Sequence, residues 1–115
     1  MVSRYVPDAG DIVYLDFDPQ VGREQAKRRP ALVLTDFRYN RASGLAVVCP
    51  LTSKVKPYPF TLPITVGNVK GAVLVDQLKS MDWEGRAAEF HSKAPPQMMA
   101  KARQYIAVLL QIPIR

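Results

Sequence analysis

Apolar residues occupy both phases of a two-residue repeat in DIVYLDF (11–17), where Ile12, Tyr14 and Asp16 alternate with Val13, Leu15 and Phe17. This predicts a strand that is apolar on both faces near its middle. A long polar connection over 18–29 follows, and Pro30 then opens a second strand, ALVLT, because a proline at a strand's first residue leaves the ladder intact. DFRYNRASG predicts a short helical turn capped by Asp36 and stopped by Gly44. LAVVCPLT (45–52) reads as a third strand in which Pro50 implies an edge or a bulge, and SKVKPYP as a second basic loop. FTLPI, then GAVLVDQLKS from Gly71, then a weaker RAAEFH from Arg86, complete the sheet.

The period changes near the end of the chain. Pro95 or Pro96 suits a first helical position, and Met98, Met99, Ala102, Tyr105, Ile106, Leu109 and Leu110 recur at three- and four-residue intervals. This predicts an amphipathic helix lying on the sheet, with Lys101 and Arg103 in water and Pro113 at its end. Short strands with one late helix predict a mainly β protein, a small barrel or curled antiparallel sheet, and exclude a βαβ fold.

At 115 residues, one domain spanning 1–115 is expected. With 48% hydrophobic and 23% charged residues, the balance is that of an ordinary folded globule. The longest apolar runs, AVLV and IAVLL, fall far short of the roughly 20 residues of a membrane span. No apolar h-region follows the N-terminus, so a cytoplasmic protein is expected. A single cysteine, Cys49, excludes an internal disulfide and argues against a thiolate metal site. The net charge of +6 is localised: residues 20–60 hold eight of the sixteen basic residues and only two acids, Glu24 and Asp36. One face is therefore expected to meet a polyanion, against the plainer reading of a solubilising surface.

Several chemistries fall away. One histidine, His91, cannot form a two-histidine acid/base pair, and is read as a surface or packing residue. No P-loop and no GxGxxG is present, so no nucleotide cofactor is expected, and no histidine and carboxylate cluster has metal-ligand spacing, so no metal is expected either. What remains is Glu24 and Arg29 from the first basic loop, with the hydroxyls of Thr52 and Ser53. Metal-free cleavage of an RNA phosphodiester needs a base for the 2′-hydroxyl, positive charge on the phosphoryl oxygens, and a proton for the departing 5′-oxygen. A glutamate can serve the first need. Arginine's planar fork serves the second, although a pKa above about 12 makes it a reluctant proton donor. Thr52 can add a neutral hydrogen bond, or simply end a strand.

MVSRYVPDAGD, VYLDFDP, GREQ, RRPALVL, YN at 39–40, CPLTS, KPYPF and VDQLKSMDW together resemble the MazF/PemK family of bacterial toxins, over roughly residues 1–83 and more loosely beyond. The resemblance implies the CcdB/Kid/MazF-like toxin fold, an SH3-like barrel. It implies a homodimeric, metal-independent endoribonuclease of the bacterial cytoplasm that cuts single-stranded mRNA, leaving a 2′,3′-cyclic phosphate and a 5′-hydroxyl. It also implies a cognate MazE-like antitoxin, with DNA met only indirectly through the toxin–antitoxin complex.

By resemblance the catalytic set is Glu24, Arg29 and Thr52. RNA contacts are expected from Phe17, Lys27, Arg28, Ser53, Lys54, Lys56, Tyr58, Asp76 and Gln77. Lysines and arginines hold backbone, whereas stacking and base-edge hydrogen bonds read sequence, which singles out Phe17, Tyr58 and Gln77. Phe17 fits a core position equally well, Trp83 reads as packing, and Asp76 can instead cap a turn. Lys27 and Arg28 replace less charged residues expected before the arginine, a departure that bears on cleavage preference. The rival reading is a non-catalytic barrel, either a gyrase-poison-like toxin or a basic nucleic-acid holder. The C-terminal LLQIPIR lacks the tryptophan a gyrase poison would be expected to use.

Overall fold

The computed structural model describes residues 5–17, 27–54 and 57–113. Its strands are β1 (Asp11–Asp16), β2 (Arg28–Val33), β3 (Leu45–Thr52), β4 (Thr61–Val66), β5 (Val69–Leu74), β6 (Lys79–Asp82) and β7 (Glu89–Lys93). Helix α1 (Phe37–Ser43) links β2 to β3, a 3-10 turn (Val75–Gln77) links β5 to β6, and α2 (Pro96–Leu110) follows β7. The order is β4-β5-β3-β2-β1-β7, every pairing being antiparallel, with β6 also on β3. The mainly β, curled architecture with a late helix is the one its patterning predicts.

The double-faced apolarity of β1 has a direct structural cause. Ile12 and Val13 are both fully buried, but they enter different cores. Ile12 joins Leu32, Cys49, Leu51 and Val73 beneath Met99 and Ala102 of α2. Val13, Leu15 and Phe17 join Ala31, Val33, Val48, Met81 and Trp83 on the other face. Each such aliphatic side chain contributes about 1.5–3 kcal/mol on burial, so the sheet is held from both sides.

β3 is the organising strand because one of its edges is shared. Leu45–Val48 pair with β6, whereas Leu51 and Thr52 pair with β5. The chain must step along that edge, so the single strand expected from Gly71 onward is divided by the 3-10 turn. Pro50 is also not at an edge. Val47 accepts from Leu34 N at 2.8 Å and donates to Thr35 Oγ1 at 3.1 Å, so its polar groups face β2. Alternation points Pro50's nitrogen the other way, at the gap between β6 and β5 where no ladder bond is lost.

Other boundaries shift for local reasons. β2 begins at Arg28 rather than at Pro30, because Asp16↔Arg28 and Leu15↔Arg29 extend the hairpin with β1. The last strand begins at Glu89 rather than Arg86. Residues 83–88 instead form a turn closed by Arg86 N to Asp82 O and Ala88 N to Trp83 O, both 2.9 Å. α2 stops at Leu110, with Gln111 left-handed (φ 57°), because Pro113 biases Ile112 away from helical backbone. Leu110 is 55% exposed rather than on the packed face. α1 is capped as predicted: Asp36 accepts from Tyr39 N at 3.0 Å, and Gly44 adopts φ 76°.

Two buried polar groups tie the frame. Asp11, 2% exposed, accepts from Tyr5 Oη and from Asp8 N at 3.0 Å, and pairs with Lys93 Nζ at 2.6 Å. Burial first, and the Asp11 carboxylate second, push the Tyr5 phenol well above its ordinary range, so Tyr5 stays a donor. Asn40, fully buried, donates to Pro7 O at 2.8 Å and Thr35 O at 2.9 Å, accepts from Thr35 Oγ1 at 2.6 Å, and receives Trp83 Nε1 on its carbonyl at 2.9 Å. Trp83 is thus the packing residue expected. Asn40→Ala strands two buried carbonyls and a hydroxyl and is expected to cost about 2–4 kcal/mol in urea unfolding; a loss below about 0.5 kcal/mol would contradict this network.

Candidate nucleic-acid cleft

The site grows from Pro30. Val33 O accepts from Gly10 N at 2.9 Å, so β2's odd positions turn their backbone groups toward β1 and Pro30 turns toward β3. Pro30 has no N–H to give. Pairing between β2 and β3 accordingly runs from Val33↔Val48 to Ala31↔Pro50 and stops, while β3 continues against β5 through Thr52↔Ala72. The wedge this leaves is a cleft of about 230 Å³ lined by Tyr14, Arg28, Arg29, Pro30, Leu51, Thr52, Ser53, Asn68, Val69 and Lys70.

Three of the residues singled out from the sequence, Arg29, Thr52 and Ser53, therefore share one cleft despite a separation of more than twenty positions. Arg29 is half-buried on β2 and Thr52 half-buried at the end of β3. The Thr52 hydroxyl accepts from Lys54 N at 3.1 Å, which fixes the oxygen and leaves its proton to donate into the cleft. Gly71 makes this position possible. A Cβ there would stand 2.1 Å from Thr52 O, so only glycine lets β5 pass so close.

Arg28 lines the cleft too, but its guanidinium donates to Ala87 O at 2.8 Å and to Asp16 Oδ1 and Glu89 Oε1 at 3.2 Å each. The expected RNA contact is a brace joining β1, β2 and β7, its charge matched by two carboxylates. Phe17 is corrected as well: at 2% exposure it belongs to the second core, where no base can stack on it. Lys27, exposed and left-handed at φ 66°, accepts Phe17 N on its carbonyl at 2.7 Å and closes the neck of the first basic loop. Glu24 and Lys56 lie outside the described residues.

The remaining candidates stand apart from this cleft. Lys54 is exposed beyond Thr52, and Tyr58 is 57% exposed. Asp76 and Gln77 sit on the 3-10 turn, which packs against α2, β3 and β4. Beneath that turn the Cys49 thiol is pushed up to about 12, by burial first and the Asp76 charge second, so Cys49 is no nucleophile. No cluster among the described residues has the make-up of a metal site. No helix among them is long and apolar enough to cross a membrane.

Three polar cleft residues escaped sequence reasoning: Tyr14, Asn68 and Lys70. Tyr14 faces Pro30 across the hairpin, a relation visible only once the register is known. Asn68 and Lys70 come from the TVGNVKG turn, which reads as a mere connection. Behind them His91 bonds Asn68 Oδ1 through Nε2 at 2.7 Å and Ser92 Oγ through Nδ1 at 2.8 Å, and sets its ring edge-on to Tyr14 at 5.7 Å. It is the packing residue expected, one layer behind the cleft wall.

The curled sheet, the late helix and the basic cleft at the strand ends can be set beside known proteins. The profile of the PemK-like, MazF-like toxins of type II toxin–antitoxin systems matches residues 8–110. The chain is 42% identical to the endoribonuclease toxin MazF of Escherichia coli K12, over 96% of this chain and 99% of that one. It is 34% identical to the endoribonuclease toxin ChpB of the same organism, over 89% and 92%. The crystal structure of MazF from Deinococcus radiodurans superposes with a TM-score of 0.90 at 45% identity, over 95% of this chain and all of that one. The MazE–MazF complex from that species gives 0.85 at 40% identity, over 96% and 100%. The chain belongs to the PemK/MazF toxin family.

The tight passage at Gly71 has a measurable consequence. Gly71→Ala must part β3 from β5 and is expected to destabilise by about 1–3 kcal/mol, whereas Lys70→Ala next to it should stay within about 0.5 kcal/mol. Equal unfolding midpoints for the two variants would contradict the geometry around Thr52.

Proposed function

We propose that this protein is the toxin of a toxin–antitoxin pair, an endoribonuclease that cuts single-stranded RNA without a metal, and that its reaction takes place in the β2–β3 cleft. The observation that carries the reading is Arg29 beside Thr52 in a wedge whose free edge is basic. The endoribonuclease names of the relatives from E. coli support it, and they weigh against a non-catalytic gyrase-poison-like barrel.

In this reading Glu24 takes the 2′-hydroxyl proton and the 2′-oxygen forms its bond to phosphorus. The guanidinium of Arg29 and the hydroxyl of Thr52 stabilise the charge that builds on the phosphoryl oxygens. The P–O5′ bond breaks, the 5′-oxygen takes a proton from water, and the products are a 2′,3′-cyclic phosphate and a 5′-hydroxyl. Ser53 and Lys54 guide the backbone in, and Tyr58 and Gln77 are the groups available to contact splayed bases.

The partner is an antitoxin of the MazE kind, whose acidic segment competes for the basic surface, in keeping with the MazE–MazF complexes of the Deinococcus relative. The working unit is a homodimer in the bacterial cytoplasm. Val108, Leu110 and Ile112 at the end of α2 are 61%, 55% and 52% exposed, an apolar edge suited to a second copy.

Purified protein in excess EDTA is expected to cut single-stranded RNA and spare DNA of the same sequence; loss of cleavage with chelator would overturn the metal-free mechanism. Arg29→Ala should lower turnover by about 10²–10³-fold, and Glu24→Gln by a similar factor with RNA binding retained. Full turnover in either variant, measured by gel assay under single-turnover conditions, would show that residue's role to be wrong.

A further inference from the structure

Beside the wedge holding Arg29 and Thr52 lies a second hollow of about 310 Å³, lined by Ser53, Pro63, Ile64, Thr65, Lys70 and Gly71. Ser53 and Lys70 line both, so the two hollows meet at a seam carrying one hydroxyl and one ammonium. The β4–β5 register puts Lys70 opposite Thr65 on the exposed face of this hairpin and Gly71 opposite Ile64 on its buried face, so the second hollow runs along the hairpin. Gly71, at its margin, allows the close approach of β5 to Thr52.

Lys70 is exposed and has no carboxylate in ion-pair reach among the described residues, in contrast to Arg28. Its charge is therefore unmatched among the described residues. Pro63 and Thr65 are exposed above Ile64, which is 4% exposed. They offer a small apolar surface with hydroxyls at its rim, suited to a ribose and the face of its base. A strand that leaves one phosphate in the wedge must carry its next phosphate past the seam, where a lysine neutralises it without reading sequence.

We propose that this second hollow is a subsite for the nucleotide adjoining the cleaved linkage, and that Lys70 holds that nucleotide's phosphate. The inference rests on the reading of the β2–β3 cleft as the site of cleavage. Lys70 then supplies binding common to ground and transition state, so its loss raises KM and leaves kcat in place.

The test is a set of RNA oligonucleotides, each carrying one uncharged methylphosphonate at a different linkage, cut by wild-type protein and by Lys70→Gln. Wild-type KM is expected to rise about tenfold when one linkage next to the cleaved one is neutralised. Lys70→Gln should show that rise on unmodified RNA, with kcat within about twofold, and no further rise at that linkage. Its affinity should also fall less steeply with salt, the log–log slope losing about 0.7. An unchanged KM in Lys70→Gln overturns the subsite, and so does a loss that adds equally to every methylphosphonate position. Lowered affinity for an acidic antitoxin peptide with unchanged RNA cleavage would assign the hollow to protein and overturn it too. Failure of wild-type protein to cut any unmodified RNA would instead sink the nuclease reading itself. The equal unfolding midpoint expected of the variant separates these outcomes from misfolding.

Discussion

Everything at the proposed active cleft depends on one missing hydrogen bond. Pro30 faces β3 with no N–H, so the β2–β3 ladder ends at Ala31↔Pro50 while β3 runs on beside β5. Two strands that would otherwise zip closed are held apart at their ends, and Arg29 and Thr52 face the opening. The gap stays defined because its margins are fastened separately. Arg28 braces β2 to β1 and β7, and Gly71 lets β5 grip the last residue of β3. A basic residue that reads as an RNA contact in the sequence is thus a brace at the cleft's margin.

The frame around this opening is stiff for reasons unrelated to chemistry. β1 separates two cores and is apolar on both faces, which leaves no register slip that keeps both sets of side chains buried. Asp11 and Asn40 then pin the segment before β1 and helix α1 with buried polar groups, Asn40 through hydrogen bonds and Asp11 through hydrogen bonds to Oδ2 and an ion pair between Oδ1 and Lys93. Such networks are costly to break and so hold one arrangement. His91 extends the same logic to the cleft wall through Asn68 and Tyr14.

What could be read from the sequence followed from local rules. The strands, the Asp36 and Gly44 caps and the amphipathic α2 rest on periodicity and capping chemistry, and they stand within a few residues of their expected places. The misjudged parts depend on tertiary relations. Pro50 needed knowledge of where β3 changes partner, and Arg28 of which strands flank it. Phe17 fitted core and surface equally until two cores were seen. Tyr14, Asn68 and Lys70 were invisible because only the fold brings the TVGNVKG turn beside the RRP segment. Arg29, Thr52 and Ser53 were singled out for phosphodiester chemistry, and the fold brings the three into one cleft.

The most direct test of the central claim is an amide chemical-shift titration of the labelled protein with an RNA made uncleavable by 2′-deoxy substitution at the scissile position. Large shifts are expected on Arg29, Leu51 through Lys54, and Asn68 through Gly71, the margins of the wedge and its seam. Shifts concentrated on the 3-10 turn and α2, with those amides unmoved, would place the RNA elsewhere and contradict that claim.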